Sequence, residues 1–86
     1  MDDQKFLDFA EDTVVNYYNT VLGEPITKDK VFIVWSCKTL QNNKAILATH
    51  AEDKLLFELT FNGDKQEAYL DTYDKINNCV VVPREV

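Results

Sequence analysis

Asn62-Gly63-Asp64-Lys65-Gln66-Glu67-Ala68-Tyr69-Leu70-Asp71-Thr72-Tyr73 is the stretch on which the fold turns. Asn-Gly is the strongest short hairpin signal, and it would make Gln66 to Tyr73 a fourth strand. The apolar spacing favours a helix instead. Tyr69 and Leu70 are adjacent, Asp71 interrupts the alternation, and Tyr69, Leu70, Tyr73 and Ile76 fall at i, i+1, i+4 and i+7. Asp64 and Glu67 stand three apart, an arrangement related to the helix capping box. The stretch therefore reads as a helix over 64–77, ended by Asn77-Asn78. Cys79-Val80-Val81-Val82 follows as a short strand that joins an edge, closed by Pro83, which cannot extend a central ladder.

Upstream, the pattern is clearer. Residues 2–22 form one amphipathic helix, with Phe6, Phe9, Ala10, Thr13, Val14, Tyr17 and Val21 at helical spacing. Asp2 or Asp3 caps its start, and Gly23 with Pro25 ends it. Residues 30–38 are β-branched and aromatic and read as a strand. In it Val31, Ile33, Trp35 and Cys37 share one face, and Phe32, Val34 and Ser36 share the other. Apolar residues on both faces imply an interior strand or a second face that something covers. Residues 44–50 and 55–61 complete an antiparallel meander, with Leu55, Phe57, Leu59 and Phe61 pointing inward. The order is α-β-β-β-α-β. This is an α+β domain: a three- to four-stranded antiparallel sheet with two helices on one face. The expected core is Phe6, Phe9, Val14, Tyr17, Ile33, Trp35, Leu47, Phe57, Leu59, Leu70 and Tyr73.

The chain has 86 residues, 45% of them hydrophobic, which suits a single domain, 1–86, with one modest core. No apolar run approaches the roughly 20 residues needed to cross a bilayer. The start is acidic where a signal peptide is basic, so a cytoplasmic location is expected. Fifteen acids against nine bases give a net charge of -6. The bases are scattered singly, so neither nucleic acid nor an anionic membrane is an expected partner. Residues 1–26 carry six acids against Lys5 alone, and they hold nearly all the net charge. Cys37 and Cys79 lie in β-like runs with no CxxC, and they read as buried free thiols.

Chemistry is sparse. His50 is the one histidine, and nothing beside it suggests a triad. Two cysteines and one histidine do not make a zinc set. Asp8, Glu11 and Asp12 share one side of the helix, but without a calcium-loop pattern they read as a solvated acidic face. No phosphate-cradling glycine loop is present. No cofactor, metal or catalytic residue is assigned, and an enzyme is the last-ranked reading. The interaction candidates are Asp8, Glu11, Asp12, Tyr18 and Tyr69. Of the tyrosine pair in the first helix, Tyr17 is expected in the core and Tyr18 outside, where a rigid amphipathic ring suits an interface.

Three segments carry a resemblance: Val34-Trp35-Ser36-Cys37-Lys38-Thr39-Leu40-Gln41-Asn42-Asn43-Lys44-Ala45, Thr60-Phe61-Asn62-Gly63-Asp64-Lys65, and Tyr69-Leu70-Asp71-Thr72-Tyr73. Over residues 30–77 the chain resembles a family of small uncharacterised proteins of phages and prophages of low-GC Gram-positive bacteria. That family is a domain of unknown function, so the resemblance implies a phage setting and no activity. The element order is also similar to the double-stranded-RNA-binding domain. The acidic first helix and the Asp64-Lys65-Gln66-Glu67 start of the second lack the lysines that RNA binding requires there. The expected function is a non-enzymatic protein-binding module that acts on a host or phage protein in the infected cell. The alternative is a structural, self-assembling homodimer, built through a strand edge or the second sheet face. A minor variant is an acidic DNA-mimic-like inhibitor of a host nucleic-acid-binding protein.

Overall fold

The computed structural model describes residues 1–84. Asp2 caps the first helix, α1 (Asp3–Tyr17): its carboxylate accepts the Lys5 N–H at 2.8 Å. The helix widens into a π turn over Tyr18–Leu22. Gly23 closes it in the left-handed region, φ 67°, where glycine carries no side-chain penalty. A 3-10 turn, Lys28–Lys30, leads into the sheet. The strands are β1 (Val31–Thr39), β2 (Asn42–Thr49), β3 (Leu56–Asn62) and β4 (Glu67–Tyr73). They lie in sequence order and every neighbouring pair is antiparallel. The α+β class and the meander agree with the sequence.

The helix expected over 64–77 is not there. Residues 67–73 are β4, paired with β3 in unbroken register from Leu56↔Tyr73 to Asn62↔Glu67. Residues i and i+4 share a face in a helix and in a strand alike, so Tyr69 and Tyr73 never discriminated between the two. The inward face of β3 needed a neighbour on its open side, and the Asn62 hairpin supplied it. The Asn62 carboxamide oxygen accepts the N–H groups of both Asp64 and Lys65 at 3.1 Å, which tightens the turn. The second helix and the final strand are both corrected: Cys79–Val82 has no ladder partner, and the order is α-β-β-β-β. The similarity to the double-stranded-RNA-binding order ends with that helix.

Packing follows one stripe. Phe6, Ala10, Val14 and Tyr18 are buried at i, i+4, i+8 and i+12 and lie against Val31, Ala45, Leu47, Phe57, Leu59 and Phe61. α1 lies over β1 and β2 and reaches β3 through its last rings. Tyr17 and Tyr18 each meet the Phe57 ring edge-on, centroids 5.8 and 5.7 Å away. The stripe is rotated by about one position from the expected one. Phe9 is exposed, Tyr17 is half-buried, and Tyr18, expected outside, is completely buried.

A bulge at Val34 re-aims β1. Ile33 stands opposite Leu47, yet Trp35 stands opposite Ile46, so the extra residue flips every later side chain to the other face. Trp35 and Cys37 therefore leave the helix side, and neither is buried. Cys79 is exposed too, which corrects the expectation of two buried thiols. Tyr73 also lies on the far face, while Ile33 and Leu70 are partly buried against the core.

Candidate functional site

Among the described residues, no element lies over the face of the sheet away from α1. Register assigns its side chains row by row. Phe32, Ala48, Leu56 and Tyr73 form one row, and Trp35, Ile46, Glu58 and Asp71 the next. Cys37, Lys44, Thr60 and Tyr69 form the third. Phe32, Trp35, Leu56, Tyr69 and Tyr73 are exposed, Trp35 by 48%. The His50 ring stands 5.2 Å from that of Phe32 at the β2 end. The row Phe32, Ala48, Leu56 and Tyr73, with Trp35 and Ile46 beside it, makes an apolar band across the sheet, and such a band on a small domain marks an interaction site.

Polar groups on this face are organised around one carboxylate. Glu58 takes Lys44 Nζ at 3.5 Å from β2 and the Tyr73 hydroxyl at 3.1 Å from β4. Tyr69 donates to Glu67. These acceptors hold both phenols above their ordinary pKa: the Glu67 bond does it for Tyr69 and the Glu58 bond for Tyr73. Both rings are thus fixed by their hydroxyls and present their apolar bodies outward. Of the residues singled out in the sequence, Tyr69 is the one on this face.

The acidic trio lies elsewhere. Lys28 Nζ sits 3.0 Å from Asp12 and 3.8 Å from Asp8, so one lysine spans the two carboxylates. The Asp12 hydrogen bond is the main reason the Lys28 pKa is raised. Exposed pairs of this sort add little to stability, but they lower the free charge of the helix face. Glu11 is half-buried beside them. Tyr18 has an internal task. Its hydroxyl donates to the Asp53 carboxylate at 2.8 and 3.0 Å and meets Thr49 Oγ1 at 3.2 Å. Asp53 also accepts the Leu55 N–H, and Thr49 accepts that of Ala51. Tyr18 therefore clamps the β2–β3 turn to the end of α1. Burial, first, pushes its pKa up to about 12.

Cys37 lines a cavity of about 220 Å³ with Asp3, Phe6, Leu7, Ser36, Lys38 and Asn43. Its pairing partner is Lys44, six residues from His50 along β2. At about 3.4 Å per residue that is roughly 20 Å, too far for a thiol–imidazole pair. Among the described residues, no helix is long and apolar enough to cross a membrane.

Sequence reading missed Phe32, Trp35 and Leu56 as a surface. The signal was the double-faced apolar pattern of β1, which implied an interior strand or a covered second face; β1 is instead an edge strand. The structure leaves that face bare. Fold and surface together define a small helix-on-sheet domain with one open aromatic face. The chain belongs to the family of unknown function DUF6275, which it matches over residues 7–83. No curated protein and no solved structure matches it.

Proposed function

We propose that this protein is a non-enzymatic protein-binding module whose open sheet face receives its partner. The observation that carries this reading is the exposed cluster of Phe32, Trp35, Leu56, Tyr69 and Tyr73 on one rigid sheet. Large, ordered aromatic rings supply contact area at low entropic cost and dominate binding energy where they are found. The β4 edge of this face, Glu67 and Asp71, is acidic, and the whole chain carries -6. The partner surface that fits is apolar at its centre and basic at its edge. The resemblance to phage and prophage proteins gives the setting: a host or phage protein in the cytoplasm of the infected cell.

The acidic helix is a weaker candidate, because Lys28 already spans Asp8 and Asp12. The same contact weighs against the DNA-mimic variant. Self-assembly is the second reading, and the C-terminal segment favours it. The test is comparative capture from host lysate. Trp35→Asp should lose a protein that the intact chain retains. Asp8→Asn, Glu11→Gln and Asp12→Asn combined should keep it. The reverse pattern would place recognition on α1.

A further inference from the structure

We infer that residues Cys79–Val82 are a strand donated to a second copy of this chain, pairing along the free edge of β4 in a reciprocal exchange. This goes beyond the open-face reading and does not depend on it. After Tyr73 the chain runs to Arg84 without a turn, bend or bridge. It leaves the domain as an arm. The radius of gyration is 15.1 Å, where a compact chain of this length has about 12 Å. The arm is apolar and β-branched, yet Ile76 is 96% exposed, Val80 90%, and Val81 and Val82 79% each. That composition suits a strand, and here it has no ladder.

The acceptor is on the same chain. β1 and β4 are the two edges of the sheet. β1 is blunted by its bulge at Val34 and by Lys30 and Lys38 at its ends, the usual protections of an edge. β4 has no bulge, lysine or proline over its seven residues. A hairpin within one chain would need a reversal between Asp74 and Asn78, and the chain makes none there. Continuing straight, β4 and the arm form one long strand that a two-fold can pair with its copy, the usual geometry of exchanged elements. With the axis at Ile76, Cys79 opposes the partner's Tyr73 and Val82 opposes the partner's Leu70. Alternation then puts Ile76, Val80 and Val82 on the face of Leu70, and Val81 on the face of Tyr73. Residues 76–82 carry no charge, so two acidic chains meet through a neutral segment. Two four-stranded sheets become one of eight.

The test is the mass by light scattering during size exclusion, across a concentration series in reductant, with hydrogen exchange on the same samples. The intact chain should rise from 10.0 kDa to twice that mass as concentration increases. Alternate amides within Val80 to Val82 should slow, and only in the dimer. A chain ending at Asn78 should remain folded at the monomer mass. So should Val80→Pro with Val81→Pro, because one of two adjacent N–H groups must lie in an antiparallel ladder. An intact chain that stays monomeric throughout, a dimer that survives truncation, or arm amides already slow in the monomer would each overturn the inference.

Discussion

Tyr18 shows how one side chain joins two distant parts of the chain. Its ring fills the core beside Phe57 and its hydroxyl holds Asp53 and Thr49. Tyr18→Phe keeps the ring and removes the donor to a carboxylate, which should cost about 1.5–3 kcal/mol in denaturant unfolding. The pH dependence follows from its raised pKa, about 12 against the ordinary 10.0. The folded state holds this proton more tightly than the unfolded state. The contribution is therefore complete below pH 10 and is lost as pH rises through 12. The phenylalanine variant should show a shallower alkaline decline over that interval, and an unchanged decline would contradict the burial of the phenol. Gly63 is required for a different reason. A Cβ there would stand 2.1 Å from the Gln41 carbonyl oxygen, because the two hairpin turns abut. Gly63→Ala should cost about 1–3 kcal/mol, as overpacking does, and a neutral result would mean that the turns do not touch.

Elements were legible wherever local signals and packing agreed. Asp2 marked the start of α1, Gly23 the end of the π turn that extends it, and the alternation of Phe57, Leu59 and Phe61 placed β3 to within one residue, because caps and period-two burial are written locally. β4 was misread because Tyr69 and Tyr73 satisfy both periods, and the deciding influence was the open side of β3. The bulge at Val34 was invisible, since an inserted residue leaves no mark in the pattern. With it went Trp35 and Cys37, both assigned to the wrong face. Tyr18 was recoverable: Phe6, Ala10, Val14 and Tyr18 are an unbroken i, i+4 series. Of the five candidate interaction residues, Tyr69 alone lies on the open face. The corrected placement of β1 and the arm has a direct chemical consequence. Cys37 and Cys79 should both react with a thiol reagent at rates near those of a free thiol without unfolding. Labelling that waits for denaturant would restore the buried assignment.

At the scale of the molecule, a single helix covers one side of a four-stranded sheet, and the other side stays open. A chain of 86 residues has little apolar surface to spare from its core. Placing four aromatic rings, Phe32, Trp35, Tyr69 and Tyr73, outward is therefore a cost that a binding surface explains and a folding requirement does not. The chain contains one tryptophan, Trp35, and it stands on that face, on the edge strand β1. Its fluorescence reports the central claim without any label. In the free protein, Trp35 should emit far to the red and be readily quenched by acrylamide, and saturating a captured partner should shield it. A blue-shifted emission in the free monomer, or quenching that the bound partner leaves unchanged, would contradict the open face as the site of recognition.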